Sequence, residues 1–520
     1  MDTTRYDVVV VGGGHNGLVA AAYLAKAGKS VRVLERLGYV GGAAVSEAVF
    51  PGLDVRLSKY SYLVSLLPDQ IVSDLGLTVD LVDRTVSSYT PLHTAGRDVG
   101  LLVERPAGER TRQSFLELTG TGEDYDAWQA FYARIESLAQ DLAPTLLEPL
   151  GTLTEIESRL RDPDLLTDLR ELPLADFVGR SLANDQVRGV ALTDGLIGTF
   201  ADLHATDGLA ARCFLYHLIG NGSGQWRVPI GGVGAVSASM AEAARRFGGE
   251  LTVGANVISV SVDGDGAQVR WIDESGTAQL ISAGAVVSGV APQVMDALRG
   301  RTPGGRPVGA QLKINMVLTR LPELRSGMDP ALAFAGTLHV NQSASQLDAA
   351  YAAASSGRLP DPLPFEVYCH SLADPTILGH SEHAAGYQTL TLFGLHTPTA
   401  LFDQDNDGVR AEATRLAVEG LDSILAEPLA DCLARDAAGE LCLHAASPLD
   451  VEAALAMPGG NIFHGDLSWP WAEQGSQSGT WGVETDEPRL VYAASGGAVR
   501  GGAVSGIGGH NAAHALLDLD

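Results

Sequence analysis

The opening residues show an apolar run, a glycine loop and a helical pattern in immediate succession. Residues 8–11 are four consecutive valines, which is typical of a strand buried on both faces of a parallel sheet. Residues 18–27 are rich in Ala and Leu and predict a helix that ends at Gly28. Residues 30–34 predict a second strand, which leads directly to Glu35. The pattern therefore predicts a complete β-α-β unit.

The loop between the first strand and the helix carries three spaced glycines. Gly12 fits the tight turn, Gly14 lets the backbone approach a pyrophosphate, and Gly17 lets the helix pack closely on the strand. Glu35 follows Gly17 by 35 − 17 = 18 residues, where a carboxylate can accept both ribose hydroxyl protons and disfavours the 2′-phosphate of NADP. The sequence thus predicts an adenine dinucleotide bound at a helix N-terminus. The predicted loop contacts are Gly12, Gly14, His15, Asn16 and Gly17.

Composition and charge exclude several classes of protein. The formal net charge of -28 would repel phosphate backbones, so nucleic acid is not an expected partner. The four cysteines contain no C-x-x-C pair, and no spacing of His, Cys and acidic residues indicates a metal site. Residues 1–6 run straight into the first strand and no apolar stretch is long enough for a bilayer, so we expect a cytoplasmic protein without a signal peptide.

Several stretches resemble the flavoprotein superfamily that contains the amine oxidases and phytoene desaturases. They are the second glycine pair after Glu35 (residues 35–42), the W-x-x-P-x-G-G-x-G block at 226–234, and a glycine-rich block at 501–513 close to the family's terminal flavin motif. Residues 448–452 and 458–465 resemble the phytoene dehydrogenase-like branch, which includes a mitochondrial protein named after pyridine nucleotide-disulfide oxidoreductases. Because the sequence has no C-x-x-C pair, that name does not imply disulfide chemistry here.

The resemblance implies FAD as the cofactor and extends the list of binding residues. In the family the second glycine pair lies along the pyrophosphate and ribityl chain, a strand near Val257 touches adenine, and the terminal block approaches the flavin. The residues implied in this sequence are Arg36, Gly41, Gly42, Ala43, Val257, Gly502, Ala503 and Val504. The entry to the terminal block (residues 494–500) departs from the family pattern at Ser495 and at Arg500, where the family has proline, and the block itself departs at Ala503, where the family has glycine.

Together these patterns predict an α/β fold. A Rossmann-like FAD-binding domain (residues 1–60, 225–300 and 485–520) is expected to be interleaved with an α+β substrate domain of mixed sheet plus helices (residues 61–224 and 301–484). The periodicity of residues 61–224 is mainly helical, as at 125–142 and 164–182. Residues 301–484 mix strands (310–318, 388–393) with a helix at 407–426.

Candidate catalytic groups come from the second part of the substrate domain. His464 and Asp466 follow a glycine turn expected near the flavin, so they are the candidates for moving a proton, although a structural histidine explains the same pattern. Asp374 precedes Pro375, which favours a structural turn. The apolar patch at 60–67 fits domain core best, with a tunnel mouth or a membrane-touching surface as alternatives (Tyr60, Tyr62, Leu63, Leu66 and Leu67).

The predicted function is FAD-dependent dehydrogenation, desaturation or isomerisation of an apolar, isoprenoid-like or polyene-like compound by hydride transfer. The substrate class is implied by the resemblance, whereas the residues themselves indicate the dinucleotide. A second dinucleotide loop is missing from the sequence, so the reduced flavin is expected to pass electrons to a diffusible acceptor, oxygen or a quinone. Two alternatives stay open: an FAD-dependent amine oxidase, and a protein that kept the fold as a scaffold or interaction module.

Overall fold

The computed structural model describes residues 5–94 and 96–519. Its strands, in chain order, are β1 (Arg5–Val11), β2 (Val31–Leu34), β3 (Ser46–Glu47), β4 (Leu57–Ser58), β5 (Leu81–Val82), β6 (Val86–Thr94), β7 (Arg97–Glu104), β8 (Val228–Pro229), β9 (Glu250–Thr252), β10 (Asn256–Val262), β11 (Ala267–Ile272), β12 (Ala278–Ser288), β13 (Leu312–Leu318), β14 (Thr337–Val340), β15 (Phe365–Tyr368), β16 (Gln388–Gly394), β17 (Leu443–Ala446) and β18 (Leu490–Tyr492). The prediction that the chain has no signal peptide depends on residues 1–4, which lie outside the described residues.

The α-helices are interspersed with these strands along the chain. In chain order they are α1 (His15–Lys26), α2 (Asp69–Leu75), α3 (Glu109–Thr119), α4 (Glu123–Leu142), α5 (Leu153–Arg159), α6 (Pro163–Glu171), α7 (Leu174–Gly179), α8 (Asp185–Leu192), α9 (Leu209–Ile219), α10 (Val233–Arg246), α11 (Pro292–Leu298), α12 (Pro330–Ala333), α13 (Ala344–Ser355), α14 (His370–Ala373), α15 (His380–Ala384), α16 (Asn406–Ile424), α17 (Pro448–Leu455) and α18 (Ile507–Leu517). Within the described residues, no helix is long and apolar enough to cross a membrane.

The first sheet is built around β1 and has the strand order β10-β11-β12-β1-β2-β9, with β18 also paired to β12. β1 runs parallel to both β2 and β12, so the three carboxyl ends meet at one edge. The valines of β1 are buried, as a strand covered on both faces requires. Helix α1 packs between α10 and α18 over this sheet. The predicted α/β class, with a Rossmann-like unit, is confirmed.

The second sheet is mixed and has the order β17-β13-β16-β15-β14-β6-β7. β14 and β6 are parallel, while the other neighbours are antiparallel. The β6–β7 hairpin belongs to a region whose periodicity predicted mainly helices, and that prediction missed both strands. The strands are formed because Val86, Ser88 and Thr90 alternate with their neighbours and pair along β7 and β14.

One predicted helix is interrupted in the structure. The helical pattern at 164–182 forms two helices, α6 and α7, which are separated at Leu172–Pro173. Leu172 is extended (φ -97°, ψ 151°), as expected for the residue before a proline, so the helix ends there. The predicted helix at 125–142 and the strands at 310–318 and 388–393 match α4, β13 and β16.

The apolar patch at 60–67 is part of the interior rather than a surface. Leu63, Leu66 and Leu67 are 5%, 2% and 1% exposed, and they belong to the apolar clusters beneath the nucleotide and helical regions. Burial at this level leaves them unavailable to a lipid surface. The core interpretation is therefore confirmed for these leucines, whereas Tyr60 and Tyr62 are half-buried and line a cavity, and a membrane contact stays a prediction.

Candidate functional site

The glycine loop lies at the carboxyl edge of the first sheet, between β1 and α1. Gly12 has φ +96°, a left-handed conformation that favours glycine. A Cβ on Gly17 would lie 2.4 Å from the carbonyl oxygen of Gly12, so this position requires glycine for close packing. A Cβ on Gly14 would meet no atom within 4 Å, because Gly14 faces an open cavity. Gly12 and Gly17 therefore make the tight turn and the close packing that their spacing predicts, and the approach of a pyrophosphate to Gly14 stays a prediction.

Glu35 follows β2 and lies beside the loop. Its side chain is 8% exposed, and its Oε2 accepts a hydrogen bond of 2.7 Å from the backbone N–H of Gly13. Its Oε1 accepts a second bond of 2.8 Å from the N–H of Leu37. Arg36 points to the same cavity and donates to the carbonyl oxygen of Ala454 at 2.9 Å. The acid is thus fixed by backbone contacts at the edge of the cavity.

The second glycine pair lies across the first loop. The N–H of Gly41 donates to the carbonyl oxygen of Gly13 at 2.8 Å, and Gly41 forms an isolated bridge with Gly14. A Cβ on Gly42 would lie 3.2 Å from the Cα of Gly14. The two loops therefore form one continuous backbone surface on the cavity.

A single cavity connects this surface with the second sheet. Its nucleotide end is lined by the loop, by Val257 on β10 and by side chains of α11 and α17. It is also lined by residues of β13, β16 and the terminal block. Most of the predicted cofactor-binding residues line it: Gly12, Gly14, His15, Asn16, Gly17, Glu35, Arg36, Gly42, Ala43, Val257, Ala503 and Val504. Gly41 and Gly502 do not belong to the described lining of the cavity.

The departures from the family pattern in the terminal block have structural consequences. Arg500 is 1% exposed, and its guanidinium donates to the carbonyl oxygens of Pro470, Leu146 and Glu148. It ties the block to the helical region, and burial lowers its pKa to about 10. Ser495 Oγ accepts the N–H of Gly502 at 3.1 Å. Ala503, where the family has glycine, adopts φ +48° and is therefore strained.

The two candidate catalytic residues are separated by the structure. His464 lines the cavity with φ +63°, and its Nδ1 is buried without a hydrogen-bond partner, as is Nε2 of His15. Burial lowers the pKa of each imidazole to about 4. Asp466 is exposed and does not belong to the described lining of the cavity. The chain turns outward at Gly465 (φ +153°), which separates the acid from the histidine.

The substrate end of the cavity is mainly aromatic. Tyr62, Trp226, Phe393 and Phe463 contribute to its lining, and His217 stacks on Trp226 with ring centroids 4.7 Å apart. Burial lowers the pKa of His217 to about 4, so its ring is neutral at pH 7. These side chains provide a large apolar contact surface, to which Gln311 and Lys313 add polar atoms.

Lys313 is a cavity residue that sequence reasoning missed. Its side-chain nitrogen donates to the carbonyl oxygens of Ser58, at 2.9 Å, and Tyr60, and lies 4.9 Å from the ring centroid of Tyr62. Burial lowers the pKa of Lys313 well below its usual value, which favours the uncharged amine. The available signal was the alternation of polar residues in an apolar strand, since Gln311, Lys313 and Asn315 share one face of this segment.

Asp374 has the structural role that its sequence context favours. It is 1% exposed, and its Oδ2 accepts the N–H groups of Gly231 and Gly232 at 2.8 and 3.1 Å. It thereby fixes the turn that begins α10. Across residues 5–94 and 96–519, no group of His, Cys, Asp and Glu is placed to hold a metal ion.

Sequence comparison finds known proteins that are similar to this chain. Residues 10–68 match the NAD(P)-binding Rossmann-like domain family. Uncharacterized protein Rv0897c of Mycobacterium tuberculosis is 49% identical over 98% of this chain and 97% of its own length. The pyridine nucleotide-disulfide oxidoreductase domain-containing protein 2 of Rattus norvegicus is 28% identical over 99% of this chain and 93% of its own. A component of the limonene dehydrogenase of Castellaniella defragrans is 47% identical over a stretch covering 32% of this chain and 31% of its own.

Solved structures share the fold at low sequence identity. Cyclohexylamine oxidase from Brevibacterium oxydans superimposes with a TM-score of 0.56 and 15% identity, covering 99% of both chains. Putrescine oxidase gives a TM-score of 0.55 and 16% identity, also covering 99% of both chains. At these identities the likeness shows the fold alone.

Proposed function

Because the chain belongs to the family of the Mycobacterium tuberculosis protein Rv0897c and its glycine loop opens on a long cavity, we propose that it binds FAD and oxidises an apolar organic compound by hydride transfer. The observation that carries the proposal is the continuity of one cavity from Glu35 to Lys313. Such a cavity would let one bound molecule contact the glycine loop at one end and the substrate sheet at the other. A diffusible oxidant, oxygen or a quinone, would then accept the electrons.

The polar atoms around the loop support a ligand with the hydrogen-bonding groups of FAD. Three buried atoms near the loop have no hydrogen-bond partner among the described residues: His15 Nε2, Asn16 Oδ1 and His464 Nδ1. Buried polar atoms are nearly always paired, so a ligand rich in hydroxyl and phosphate oxygens explains them better than a loop without a ligand. Putrescine oxidase, whose solved structures concern the redesign of its cofactor binding, shares the fold, which agrees with a bound cofactor here.

Each part of the chain has a distinct task in this proposal. The N-terminus of α1 would attract the pyrophosphate, and Glu35 would accept protons from the ribose hydroxyls. The terminal block, with Ala503 and Val504 on the cavity, would contact the ring system. Bound FAD supplies the two-electron chemistry by accepting a hydride. The aromatic wall would hold the substrate and exclude water.

The lining of the substrate end favours an uncharged, apolar substrate. Glu35 is the acidic residue of the described lining, and it belongs to the nucleotide end. A cationic amine at the aromatic end would therefore lack a carboxylate partner in the wall, whereas hydrocarbon surface would pack on Tyr62, Trp226 and Phe393. The similarity to the limonene dehydrogenase component, which covers part of the chain, agrees with an apolar substrate.

The test begins with the absorption spectrum of the purified protein. We expect a yellow protein that bleaches on reduction, and a colourless protein that takes up no added FAD would reject the proposal. The protein is then mixed without oxygen with terpene hydrocarbons, including limonene, and separately with primary amines. Bleaching by a hydrocarbon supports the proposed substrate class. Bleaching by amines alone would identify an amine oxidase, and stable colour with every compound would favour a scaffold role.

A further inference from the structure

One unpartnered polar atom of the cavity lining has no role in the proposed binding of FAD. Four buried side-chain atoms of the described lining have no hydrogen-bond partner among the described residues. Three of them, on His15, Asn16 and His464, lie near the glycine loop and fit FAD. The fourth is Oε1 of Gln311, a residue that is 6% exposed and immediately precedes β13 of the second sheet. This oxygen therefore needs a partner of its own.

The orientation of the Gln311 amide is fixed by its nitrogen. Nε2 donates a hydrogen bond of 3.1 Å to the backbone carbonyl oxygen of Leu196. An amide rotated by half a turn would direct its own oxygen at that carbonyl oxygen, so the NH2 group belongs on this side. Oε1 is therefore the atom left over, and it can accept a hydrogen bond but cannot donate one. A group that satisfies it must carry an O–H or an N–H bond.

Two other polar groups of the cavity wall already have partners inside the protein. The side-chain nitrogen of Lys313, which shares a face with Gln311, donates to two backbone carbonyl oxygens. The indole N–H of Trp226 donates to the carbonyl oxygen of His217 at 3.2 Å. Neither contact supplies a donor to Oε1 of Gln311, which is left open to a ligand.

Gln311 belongs to the part of the cavity that the second sheet lines. Its neighbour on the same face, Lys313, pairs directly with Phe393 on β16, and directly paired residues point to the same face of a sheet. All three side chains belong to the cavity lining, as does Ile197, which follows the residue that holds the Gln311 amide. A donor bound at Oε1 would therefore have hydrocarbon and aromatic surface close to it.

The charges of the lining favour an uncharged donor at this position. Glu35 is the acidic residue of the described lining, and it belongs to the nucleotide end. An ammonium group at Gln311 would therefore be buried without a carboxylate, and burial of an unpaired charge is costly. A hydroxyl group brings the required O–H bond without a charge.

We propose that Gln311 selects a hydroxylated substrate, an apolar alcohol whose O–H group donates to Oε1 while its hydrocarbon body packs on the aromatic wall. This inference rests on the proposed function and narrows its substrate class from apolar compounds to apolar alcohols. A hydrocarbon would leave Oε1 buried and unpaired, which disfavours its binding. An ether of similar shape would do the same, because it has an oxygen but no O–H bond.

The test is isothermal titration calorimetry of the FAD-loaded protein with cyclic terpenes of similar shape. The compounds are p-menthane, which has no oxygen, menthol, which has a hydroxyl group, and menthyl methyl ether, which has an oxygen but no donor. We expect menthol to bind about tenfold more tightly than either of the others, and this preference to be lost in Gln311→Met. Asn315→Leu is the matched control and should keep the preference. Asn315 on β13 also donates to a backbone carbonyl oxygen, but it does not belong to the described cavity lining.

Several results would overturn the proposal. They are equal affinities for menthol and its ether, a preference that persists in Gln311→Met, and a lack of menthol binding. Tighter binding of menthylamine, which is a cation, would overturn the choice of a hydroxyl group. A Gln311→Met protein that binds menthol normally and FAD more weakly would assign Oε1 to the cofactor instead.

The comparison of the compounds in the unmodified protein decides the matter if Gln311→Met does not fold. The titration measures binding and needs no turnover. Failure of every compound to bleach the flavin would therefore refute the proposed hydride transfer and leave the result for Gln311 unaffected.

Discussion

The carboxylate of Glu35 accepts a hydrogen bond from the backbone N–H of Gly13 at 2.7 Å. The acid at the end of β2 is thereby joined to the glycine loop before any ligand is considered. Its second oxygen accepts the N–H of Leu37. Glu35 therefore shapes the loop in addition to the ribose-binding role that the sequence predicts.

Replacing Glu35 by Ala is expected to weaken FAD binding by about tenfold to a hundredfold. The change removes the acceptor for the ribose hydroxyls and both backbone contacts, and hydrogen bonds to a charged group contribute about 1.5–3 kcal/mol each. Fluorescence titration of the apoprotein with FAD measures the effect. Glu382→Ala, at a similarly buried acid that bonds to Asp54 and Ser381, is the control and should leave the affinity unchanged. Equal affinities for Glu35→Ala and the unmodified protein would remove Glu35 from the site.

Two alanine substitutions in the same loop should differ in their effects on stability and on FAD binding. Gly17→Ala places a Cβ 2.4 Å from the carbonyl oxygen of Gly12, so we expect a loss of stability of about 1–3 kcal/mol in urea unfolding. Gly14→Ala meets no protein atom within 4 Å, and Gly14 has an ordinary φ of -68°, so stability should be retained. Its Cβ would project into the cavity and weaken FAD binding. A Gly14→Ala protein with normal FAD affinity would show that no ligand approaches this backbone.

Ala503→Gly is expected to stabilise the protein. Ala503 has φ +48°, and a left-handed conformation costs a non-glycine residue about 1–2 kcal/mol. Part of this gain is offset because glycine loses more entropy on folding, which leaves an expected increase of about 0.5–1 kcal/mol in the free energy of unfolding. Ala498→Gly, at a buried position in the same block without a positive φ, is the control and should destabilise. A loss of stability in Ala503→Gly would contradict the assignment of strain.

The glycine loop, β1, α1 and β2 could be predicted because their signals are local. The spacing of Gly12, Gly14 and Gly17 reflects contacts between residues that are close in sequence. The structure shows such a contact where Gly17 packs on the carbonyl group of Gly12. The pairing of Glu366 on β15 with the cavity residue Phe393 on β16 could not be predicted in this way. Phe393 and Glu366 meet through strand register between segments that are distant in sequence, and no local period encodes that register. The same limit applies to the β6–β7 hairpin, whose pairing with β14 is long-range.

The separation of His464 and Asp466 shows a different limit. They lie two residues apart in sequence and are both candidates for moving a proton, but the positive φ of His464 and of Gly465 directs their side chains to different environments. A positive φ on a histidine is uncommon, so the sequence gives little warning of this turn. The structure therefore retains His464 at the cavity and places Asp466 in solvent.

The buried histidines make the stability of the fold sensitive to acid. His396 is 1% exposed, has no hydrogen-bond partner for either ring nitrogen among the described residues, and burial lowers its pKa from 6.5 to about 3. His396 therefore takes up a proton below pH 6.5 in the unfolded chain, but only below about pH 3 in the folded protein. Stability is fully present above pH 6.5 and falls as pH is lowered through this window, by about 1.4 kcal/mol per pH unit for each such histidine.

His396→Asn isolates this effect, since asparagine tolerates the φ of +52° at this position and does not titrate. Urea unfolding between pH 7 and 4 should show a pH slope that is smaller by about one proton than in the unmodified protein. The exposed His380→Asn is the control and should leave the slope unchanged. If the slope stays the same in His396→Asn, the folded protein protonates His396 as easily as the unfolded chain does. The acid sensitivity would then have to come from the other buried imidazoles, such as His15 and His464, whose pKa values burial lowers to about 4.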